Sequence, residues 1–588
     1  MLVYFEKHSY PADLILPYFE DKENKGKYVI PIQQEDDGWY IQHIGYLFVS
    51  NDKYKGPVFV LPKLFLSKVN GKDMLLGKQG IFPEDIYDTD DDNNPLTGQG
   101  REYFLPELSL WLFRAMARYR DEAGKEKDRE AQNNLDYVTS DNNSQDHDFL
   151  STAVHLIDFL SNHRNLFTQI TKLNNSGLSA VNWHKTIQTQ PFIKDNKAIY
   201  TTLLTKDKSR NIDEELIVLY YSVLKYLKDK FHFRIELGEI NYDLKSTSEI
   251  QRYLDTGIGK RKMRDMKGKY YRDDLLSLWD LLDAFFTFNS SKDDKNPIRE
   301  KLIIKDFELV FEKMVDHIIG DTGQLTKLKE QKDGKLIDHI YLDSSLLTRK
   351  NNIFYIGDSK YYNTDSHPEG VALYKQFTYA RNVIQYNIEQ YNLKKKANPN
   401  AVRYRDGETE GYNITPNFFI IPTIESDDFE FNSPSLTPTE REIAASRQFE
   451  DRLFDRDTLL LREYRIDLIA LIAAYGSYEL SWTSPLRKII REDMISFLND
   501  TYAFFQVVPQ PFPIYSGDKK VAEIPFLTFH QNRLKGKVYK TEDDTEFLTL
   551  AFERHTETGK TDLLEVQDNI ATSISGGSID TPIKLEAY

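Results

Sequence analysis

The sequence contains no cysteine among its 588 residues. That absence excludes disulfide bridges and every zinc or iron–sulfur site built on cysteine ligands. Nowhere does the chain run for about eighteen uninterrupted apolar residues, so it predicts no membrane-spanning helix. The amino-terminal residues also lack the basic-then-apolar pattern of a leader peptide. We therefore expect a soluble cytoplasmic protein with no membrane association.

Several catalytic signatures are missing as well. The Gly-Ile-Gly-Lys segment at 257–260 is not a Walker loop, because such a loop has wider glycine spacing and a Ser or Thr after its lysine. Any nucleotide-driven step would therefore come from another subunit. The chain carries neither the Gly-x-Ser-x-Gly turn of esterases nor the His-Glu-x-x-His helix of zinc proteases, which argues against both enzyme classes.

Length and charge limit the organisation further. A net charge of −16 argues against a protein that coats DNA through a uniformly basic surface, but it leaves room for a local basic groove. A chain of this length is too long for one hydrophobic core. The predicted parts are a β-rich amino-terminal module for DNA or partner recognition at 1–100, a mostly helical middle domain at 101–300, an α/β core at 301–475 and a carboxy-terminal region at 476–588.

The most informative stretch lies at 335–360. It reads as two short apolar strands joined by a polar connection. Asp338 falls inside the first strand, and Asp358 and Lys360 close the second. Side chains alternate along a strand, so Asp358 and Lys360 point to one face, and pairing of the strands would bring Asp338 beside Asp358.

Two carboxylates and a lysine suit one type of chemistry. Carboxylate oxygens are the ligands that Mg²⁺ prefers, and an adjacent ammonium can polarise a water molecule. The arrangement predicts metal-assisted hydrolysis of a phosphodiester. With 92 acidic and 76 basic residues, an acid-x-base tripeptide arises by chance about a dozen times, so a salt-bridged strand end is the alternative. Both acids lie in apolar runs, where unpaired carboxylates are costly to bury.

Helices are predicted on both sides of these strands. At 304–319 apolar residues recur at helical spacing, and Glu308 and Glu312 share one face. Either glutamate could complete a metal site, or both could lie on the solvent side of an amphipathic helix. A second helix at 373–391 carries Lys375 and Gln376, which we predict to contact DNA.

The order helix with Glu, strand with Asp, strand with Asp-x-Lys and helix resembles the core of the PD-(D/E)XK nucleases. The wording IGDSKYY at 356–362 and LYKQFTYA at 373–380 resembles the LlaJI-type restriction endonucleases and their McrC-like relatives. Further segments resemble the same proteins: VFVLPKLFL at 58–66, LSAVNWHKTI at 178–187 and AIYTTLL at 198–204. Ile337 stands where the motif name has proline.

The resemblance implies a mixed sheet flanked by helices. It also implies a Mg²⁺-dependent deoxyribonuclease, the endonuclease subunit of a bacterial restriction or phage-defence system that cleaves double-stranded DNA. Asp338 and Asp358 would hold Mg²⁺, with Glu312 or Glu308 completing the site, and Lys360 would orient and help deprotonate the attacking water. The implied partners are an AAA+ GTPase of McrB type and a matching DNA methyltransferase. Cleavage of both strands needs two active sites, so a homodimer or higher complex is expected.

The most basic segment lies at 255–274. Its cations could neutralise phosphates, and its two tyrosines could supply stacking surface. The residues concerned are Lys260, Arg261, Lys262, Arg264, Lys267, Lys269, Tyr270 and Tyr271. A solvated charged face is the alternative.

Further along, 417–425 reads as a buried strand that extends the central sheet, and 459–475 reads as a helix. Two other functions stay open. The chain could be a repair or recombination nuclease with the same core, acting on free ends or branched DNA. It could also be a non-catalytic activator of an NTPase partner.

Overall fold

The structure is a computed structural model of the whole chain. The residues that it describes are 1–19, 30–35, 38–51, 53–91, 93–98, 101–138, 148–163, 170–174, 181–209, 214–238, 240, 242–290, 298–321, 325–329, 337–347, 352–362, 368–394, 404–424, 429, 431, 433–440, 451–478, 480–508, 511–529, 531–540, 547–570 and 584–585.

Helices and strands both occur throughout the described chain. The strands are β1 (Leu2–Phe5), β2 (Ser9–Tyr10), β3 (Ile32–Glu35), β4 (Gly38–Ile41), β5 (Ile44–Ser50), β6 (Lys55–Leu61), β7 (Leu66–Val69), β8 (Lys72–Leu75), β9 (Leu135–Val138), β10 (Ile170–Asn174), β11 (Phe192–Lys194), β12 (Lys197–Ile199), β13 (Thr205–Ser209), β14 (Ile298–Ile304), β15 (His339–Ser344), β16 (Asn352–Ser359), β17 (Pro416–Thr423), β18 (Leu436–Pro438), β19 (Leu460–Asp467), β20 (Tyr502–Val507), β21 (Phe512–Ser516), β22 (Lys519–Ile524), β23 (Val538–Tyr539) and β24 (Leu548–Glu553). The helices are α1 (Ala12–Phe19), α2 (Pro83–Ile86), α3 (Phe104–Glu126), α4 (Arg129–Asn134), α5 (Phe149–Asn162), α6 (Trp183–Thr186), α7 (Glu214–Phe231), α8 (Thr247–Asp255), α9 (Ile258–Met266), α10 (Asp273–Ser290), α11 (Phe307–Ile319), α12 (Thr326–Lys329), α13 (Val371–Lys394), α14 (Leu468–Gly476), α15 (Thr483–Thr501), α16 (Phe526–Phe529), α17 (Gln531–Leu534) and α18 (Glu557–Ile570).

The chain divides into two compact units, each made of separate pieces of sequence. The first contains Met1–Leu61, Asp73–Leu110 and Leu135–Ile303, and the second contains Pro62–Lys72, Trp111–Asn134 and Ile304–Tyr588. The four-part organisation expected from the sequence stays a prediction.

The first unit is built on a five-stranded sheet in the order β1-β6-β5-β14-β9. Strand β1 runs parallel to β6, and β5 runs antiparallel to β6. Strands β5 and β6 are buried over nearly their whole length, so they form a core with the aromatic residues of β1 and α1. Helix α10 contacts α5, α7, α8 and α9 in the same unit.

The second unit contains a mixed five-stranded sheet in the order β15-β16-β17-β19-β18. Strand β15 is antiparallel to β16, whereas β16, β17 and β19 run parallel. All eight residues of β17 are buried, which is typical of a strand with a neighbour on each side and covered faces. As predicted, the apolar run that begins at 417 extends this sheet, in strand β17, which ends at Thr423; residue 425, the end of the predicted strand, lies outside the described residues.

The prediction of one helix at 459–475 was wrong. Residues Leu460–Asp467 form strand β19, paired in parallel with β17, and the helix α14 begins only at Leu468. Asp467 marks the boundary, because its side chain accepts a hydrogen bond from the Ile469 N–H at 3.1 Å and caps the helix. The stretch is apolar throughout, so its sequence pattern did not show that a strand gives way to a helix at Asp467.

Helix α11 packs on the sheet through contacts with β15 and β16 and also contacts α14 and α15, while α13 contacts β16. Helix α11 starts at Phe307 and not at 304, where the sequence predicted its first turn. Ile304 ends β14, and the side chain of Asp306 caps the helix by accepting from the Glu308 N–H at 3.0 Å.

The carboxy-terminal part of the second unit has a three-stranded sheet, β20-β24-β23, with α18 packed on β24, and a separate hairpin of β21 and β22. A buried cluster that includes Phe505, Leu550 and Phe552 forms its core. Among the helices of the described residues, none has both the length and the apolar character needed to cross a membrane.

Candidate functional site: a carboxylate and lysine cluster

Strand pairing places the two predicted aspartates side by side. In the β15–β16 register His339 faces Gly357, so Asp338, which directly precedes β15, stands opposite Asp358 on β16. Asp338 does not lie inside the strand as the sequence suggested. Its Oδ2 accepts a hydrogen bond from the Ser359 N–H at 3.2 Å, so the side chain takes the place of a backbone partner at the strand end.

Lys360 lies between the two carboxylates. Its Nζ is 2.6 Å from Oδ2 of Asp358 and 3.8 Å from Oδ2 of Asp338. The backbone of Lys360 is fixed as well, because its N–H donates to the Ile420 carbonyl of β17 at 3.0 Å. Between 7% and 13% of each of these three side chains is exposed, so the cluster is largely desolvated but still reached by solvent.

Gly357, next to Asp358, permits the close packing of β16 on β17. A Cβ at this position would lie 2.2 Å from the ring of Phe418, closer than carbon atoms can approach without displacement. Phe418 is fully buried and pairs with Gly357 across the strands. A substitution at Gly357 would therefore move the ring or the strand that carries Asp358.

Helix α11 adds two glutamates. Burial raises the pKa of Glu312 to about 7, with Glu308 and Asp358 acting in the same direction and Lys360 opposing them. Burial also raises the pKa of Glu308. The charges of Asp306 and Asp358 act in the same direction, and those of Lys360 and Lys375 oppose them. The charge of Glu312 raises the pKa of both Asp338 and Lys360. We therefore take Glu312 as the third carboxylate of the cluster.

The cluster carries more acid than base, and this shifts its pKa values. Burial, followed by the charges of Asp358 and Glu312, raises the pKa of Asp338 well above its usual range. Burial alone would lower the pKa of Lys360, but the attraction of Asp358 and Asp338 outweighs it and raises that pKa above the ordinary value. Lys360 is therefore an ammonium ion at neutral pH.

A buried polar network supports the cluster from behind, and the sequence did not reveal it. His339 Nε2 lies 2.6 Å from Ser359 Oγ, and His339 Nδ1 lies 3.4 Å from Asp316 Oδ1. Lys329 contacts Asp316 and donates to the Asp338 carbonyl at 3.0 Å. His339 and Ser359 are fully buried, so they cannot form an acyl-transfer site and act instead on the position of their neighbours. The only sequence signal was the presence of polar residues beside Asp338 and Asp358 in apolar runs.

The two predicted DNA contacts on α13 have different environments. Lys375 is exposed, and its charge acts on Glu308. Gln376 is fully buried, and its Nε2 donates to the Ile356 carbonyl at 2.9 Å and to Asn417 Oδ1 at 3.1 Å. The structure therefore contradicts the prediction that Gln376 contacts DNA, because its amide joins α13 to the sheet.

The basic segment belongs to the first unit, on and after helix α9. Arg261 and Arg264 are exposed, Lys260 and Lys262 are half-buried, and Lys262 lies 3.5 Å from Glu215. Tyr270 is buried against Met266, contrary to the expectation that it offers stacking surface. By contrast, 88% of Tyr271 is exposed.

The residues present fit a divalent cation by their chemistry. Asp338, Asp358 and Glu312 supply only oxygen donors, as Mg²⁺ prefers. Oδ2 of Asp358 is buried and, apart from its ion pair with Lys360, accepts no hydrogen bond in the described structure. In the part of the chain that the structure describes, no three acidic or histidine side chains are already arranged as a metal site, so binding would require these side chains to shift.

Comparisons with known proteins give little. No protein-family model matches the sequence, and no curated protein matches it. Among solved structures, the chain is similar to a chain in a half-complex from the tetradecameric assembly of Thermococcus gammatolerans McrB AAA+ hexamers with bound McrC. The similarity covers 84% of this chain and 99% of that one, at 9% sequence identity and a TM-score of 0.29. A TM-score this low carries no argument about fold or function.

Proposed function

We propose that the chain is a Mg²⁺-dependent nuclease with a PD-(D/E)XK-type core, and that it hydrolyses phosphodiester bonds of double-stranded DNA in a restriction or phage-defence system. The observation that supports this most is the convergence of Asp338, Asp358 and Lys360 at one end of a mixed sheet. The sequence resemblance to LlaJI-type and McrC-like proteins supplies the biological setting.

Each residue of the cluster has a distinct part in this proposal. Asp338, Asp358 and Glu312 would hold the cation, which supplies Lewis acidity at the phosphate and lowers the pKa of a bound water. Glu312 would bind as the carboxylate: burial holds its pKa at about 7 in the absence of a cation, and a bound cation would favour the ionised form. Hydrolysis would form a bond from the water oxygen to phosphorus and break the bond to the leaving sugar oxygen, with the proton of the water passing to solvent and the leaving oxygen taking a proton from solvent.

The part assigned to Lys360 differs from the expectation based on sequence. A lysine whose pKa is raised by two carboxylates is already protonated, so it cannot take a proton from water. It is placed instead to orient the water and to stabilise the negative charge that develops on the phosphate.

DNA binding and assembly complete the proposal. The exposed cations Arg261, Arg264 and Lys375 would contact phosphates, which fixes position without reading sequence. Because the described residues of each chain contain one candidate site, cleavage of both strands would require a homodimer or higher complex. An AAA+ GTPase of McrB type and a host methyltransferase are proposed as partners from the sequence resemblance alone.

One experiment tests the activity directly. Purified protein, with and without a candidate GTPase, is incubated with supercoiled plasmid and Mg²⁺ or EDTA, and nicked and linear products are measured. Nicking that requires Mg²⁺ and is lost in Asp358→Asn supports the nuclease proposal. A protein that stimulates its NTPase partner equally well as wild type and as Asp358→Asn, and never cuts DNA, would instead be the non-catalytic activator.

A further inference from the structure

A cavity lies in the second unit, away from the carboxylate cluster. It has a volume of about 530 Å³ and is formed by the end of β15 and the start of α15. Asp343 lies five residues along the chain from Asp338, a separation of about 17 Å at strand geometry. The size is within the range of sites for small molecules.

Three cations line this cavity: Arg487, Lys488 and Arg491. Arg487 is paired with Asp321 at 2.7 Å, and Lys488 is largely exposed and 3.5 Å from Glu492. Asp343 is the one carboxylate among the described lining residues. Arg487 and Lys488 therefore each have a carboxylate partner outside the lining, whereas Arg491 has none among the described residues.

Arg491 is the residue that points to a ligand. Only 5% of it is exposed, yet none of the described carboxylates forms an ion pair with it. Its Nη2 donates to the Ser345 carbonyl at 3.0 Å, it lies beside the Tyr355 hydroxyl, and its buried Nε has no partner in the described structure. By comparison, Arg462 on β19, which is 11% exposed, is paired with Asp493 on α15 at 2.9 Å.

A buried cation normally has a counter-charge, because removing an unpaired charge from water is costly. An anion in the cavity would supply that counter-charge to Arg491. The first turn of α15, the helix that carries Arg491, also lines the cavity with the hydroxyls of Thr483 and Ser484. In that turn the Thr483 N–H donates to the Leu480 carbonyl at 3.3 Å and residue 485 is proline, so Ser484 supplies the N–H that a negative charge at the helix start can accept from.

We propose that this cavity binds a phosphate group, held by Arg491 and Lys488, by the Thr483 and Ser484 hydroxyls and by the Ser484 N–H at the start of α15. Arginine beside lysine and hydroxyl groups matches the charge and the several acceptor oxygens of phosphate. The phosphate would belong either to a free nucleotide-like ligand or to the backbone of DNA. The proposal does not depend on the nuclease activity, because it concerns different residues.

The test uses the full-length chain in EDTA, so that no metal-dependent cleavage takes place. The first probe is pyrophosphate, and its binding is measured by the shift in melting temperature and by calorimetry. The second probe is a fluorescent 12-base-pair duplex, and its binding is measured by anisotropy. The variants are Ser484→Glu, Lys488→Gln and the control Ser248→Glu. Ser484 and Ser248 are both exposed second residues of a helix, where an added carboxylate favours the helix itself. Circular dichroism verifies that each variant is folded.

We expect wild type to bind at least one probe. The affinity should fall about tenfold in Ser484→Glu and about two- to fivefold in Lys488→Gln, and it should be unchanged in Ser248→Glu. Binding of pyrophosphate that follows this pattern identifies a free phosphate ligand. Binding of the duplex alone with the same pattern identifies the DNA backbone. The proposal is overturned if wild type binds neither probe, or if Ser484→Glu and Ser248→Glu bind equally well.

Discussion

Nζ of Lys360 lies 2.6 Å from Oδ2 of Asp358, at the point where strand β16 ends. The same ammonium group approaches Asp338, so one positive charge neutralises part of a buried group of carboxylates. A divalent cation would compete with Lys360 for these oxygens. Activity, metal binding and stability should therefore all respond to changes in this small set of residues.

Removing the charge of Lys360 or Asp358 should abolish DNA cleavage. We expect Lys360→Met and Asp358→Asn to lower the rate of Mg²⁺-dependent nicking by a factor of about one hundred or more, because Lys360 would stabilise the charge that develops on the phosphate and Asp358 would hold the cation. DNA affinity and circular dichroism should stay close to wild type. Lys560→Met, which changes an exposed lysine on α18, is the control. Wild-type nicking rates in either cluster variant would refute the assignment.

Glu312 should make stability depend on pH in a specific direction. Its pKa in the folded protein is about 7, above that of an unfolded glutamate, so the folded state binds more protons between these values and loses stability as pH rises towards 7. Glu312→Gln removes this effect. We expect the variant to be more stable than wild type by about 1–2 kcal/mol at pH 8 and by much less at pH 5. Urea denaturation at both pH values measures this, and equal differences at both would contradict it.

Magnesium should stabilise the folded protein. A ligand that binds only the folded state, present at about one hundred times its dissociation constant, adds about 2.7 kcal/mol. We expect Mg²⁺ to raise the melting temperature of wild type but not of Asp358→Asn. Asp195→Asn, which changes an exposed turn residue between β11 and β12, should respond as wild type does. Equal shifts in all three proteins would place the metal elsewhere.

Ser359 should affect the site without touching its substrate. Ser359→Ala removes the 2.6 Å contact with His339 Nε2 and leaves a buried ring nitrogen without a partner, at a cost of about 1–3 kcal/mol. We also expect Mg²⁺ to bind about ten- to one-hundredfold more weakly, because the network fixes the residues beside Asp338 and Asp358. Titration of cleavage with Mg²⁺ separates this from simple destabilisation, which would lower stability but leave the Mg²⁺ requirement unchanged.

The exposed arginines of α9 should contribute to DNA binding without sequence preference. The double variant Arg261→Ala with Arg264→Ala should weaken binding of unrelated duplexes equally and reduce the slope of log affinity against log salt by about two. Arg129→Ala, an exposed arginine on α4, is the control for loss of charge. An unchanged slope in the double variant would show that α9 is a solvated face only.

The sequence predicted the local elements of the candidate site well where one periodicity dominated. The alternating run that ends at Lys360 is strand β16, and the helical spacing before it is α11. It failed where a polar residue ends an element within an apolar run. Asp306 and Asp467 each cap a helix, and Asp338 replaces a backbone partner. In each case the decisive hydrogen bond is local but invisible in an apolar pattern.

Long-range contacts were beyond the sequence. Gln376 is an ordinary polar residue on a helix until α13 packs on β16 and its amide becomes buried. In the same way, His339 and Asp316 form a network only after α11 lies against β15. The unpaired charge of Arg491 likewise becomes evident only when burial and all neighbours are known together.

The packing of Phe418 against Gly357 has a consequence for any attempt to redesign this protein. Because Gly357 has no side chain, the Phe418 ring can lie against the backbone directly before Asp358. Even the smallest replacement, alanine, would require either the Phe418 ring or the strand that carries Asp358 to move. An engineer who seeks to alter activity without altering the acidic and basic residues could therefore begin at a position with no chemistry of its own.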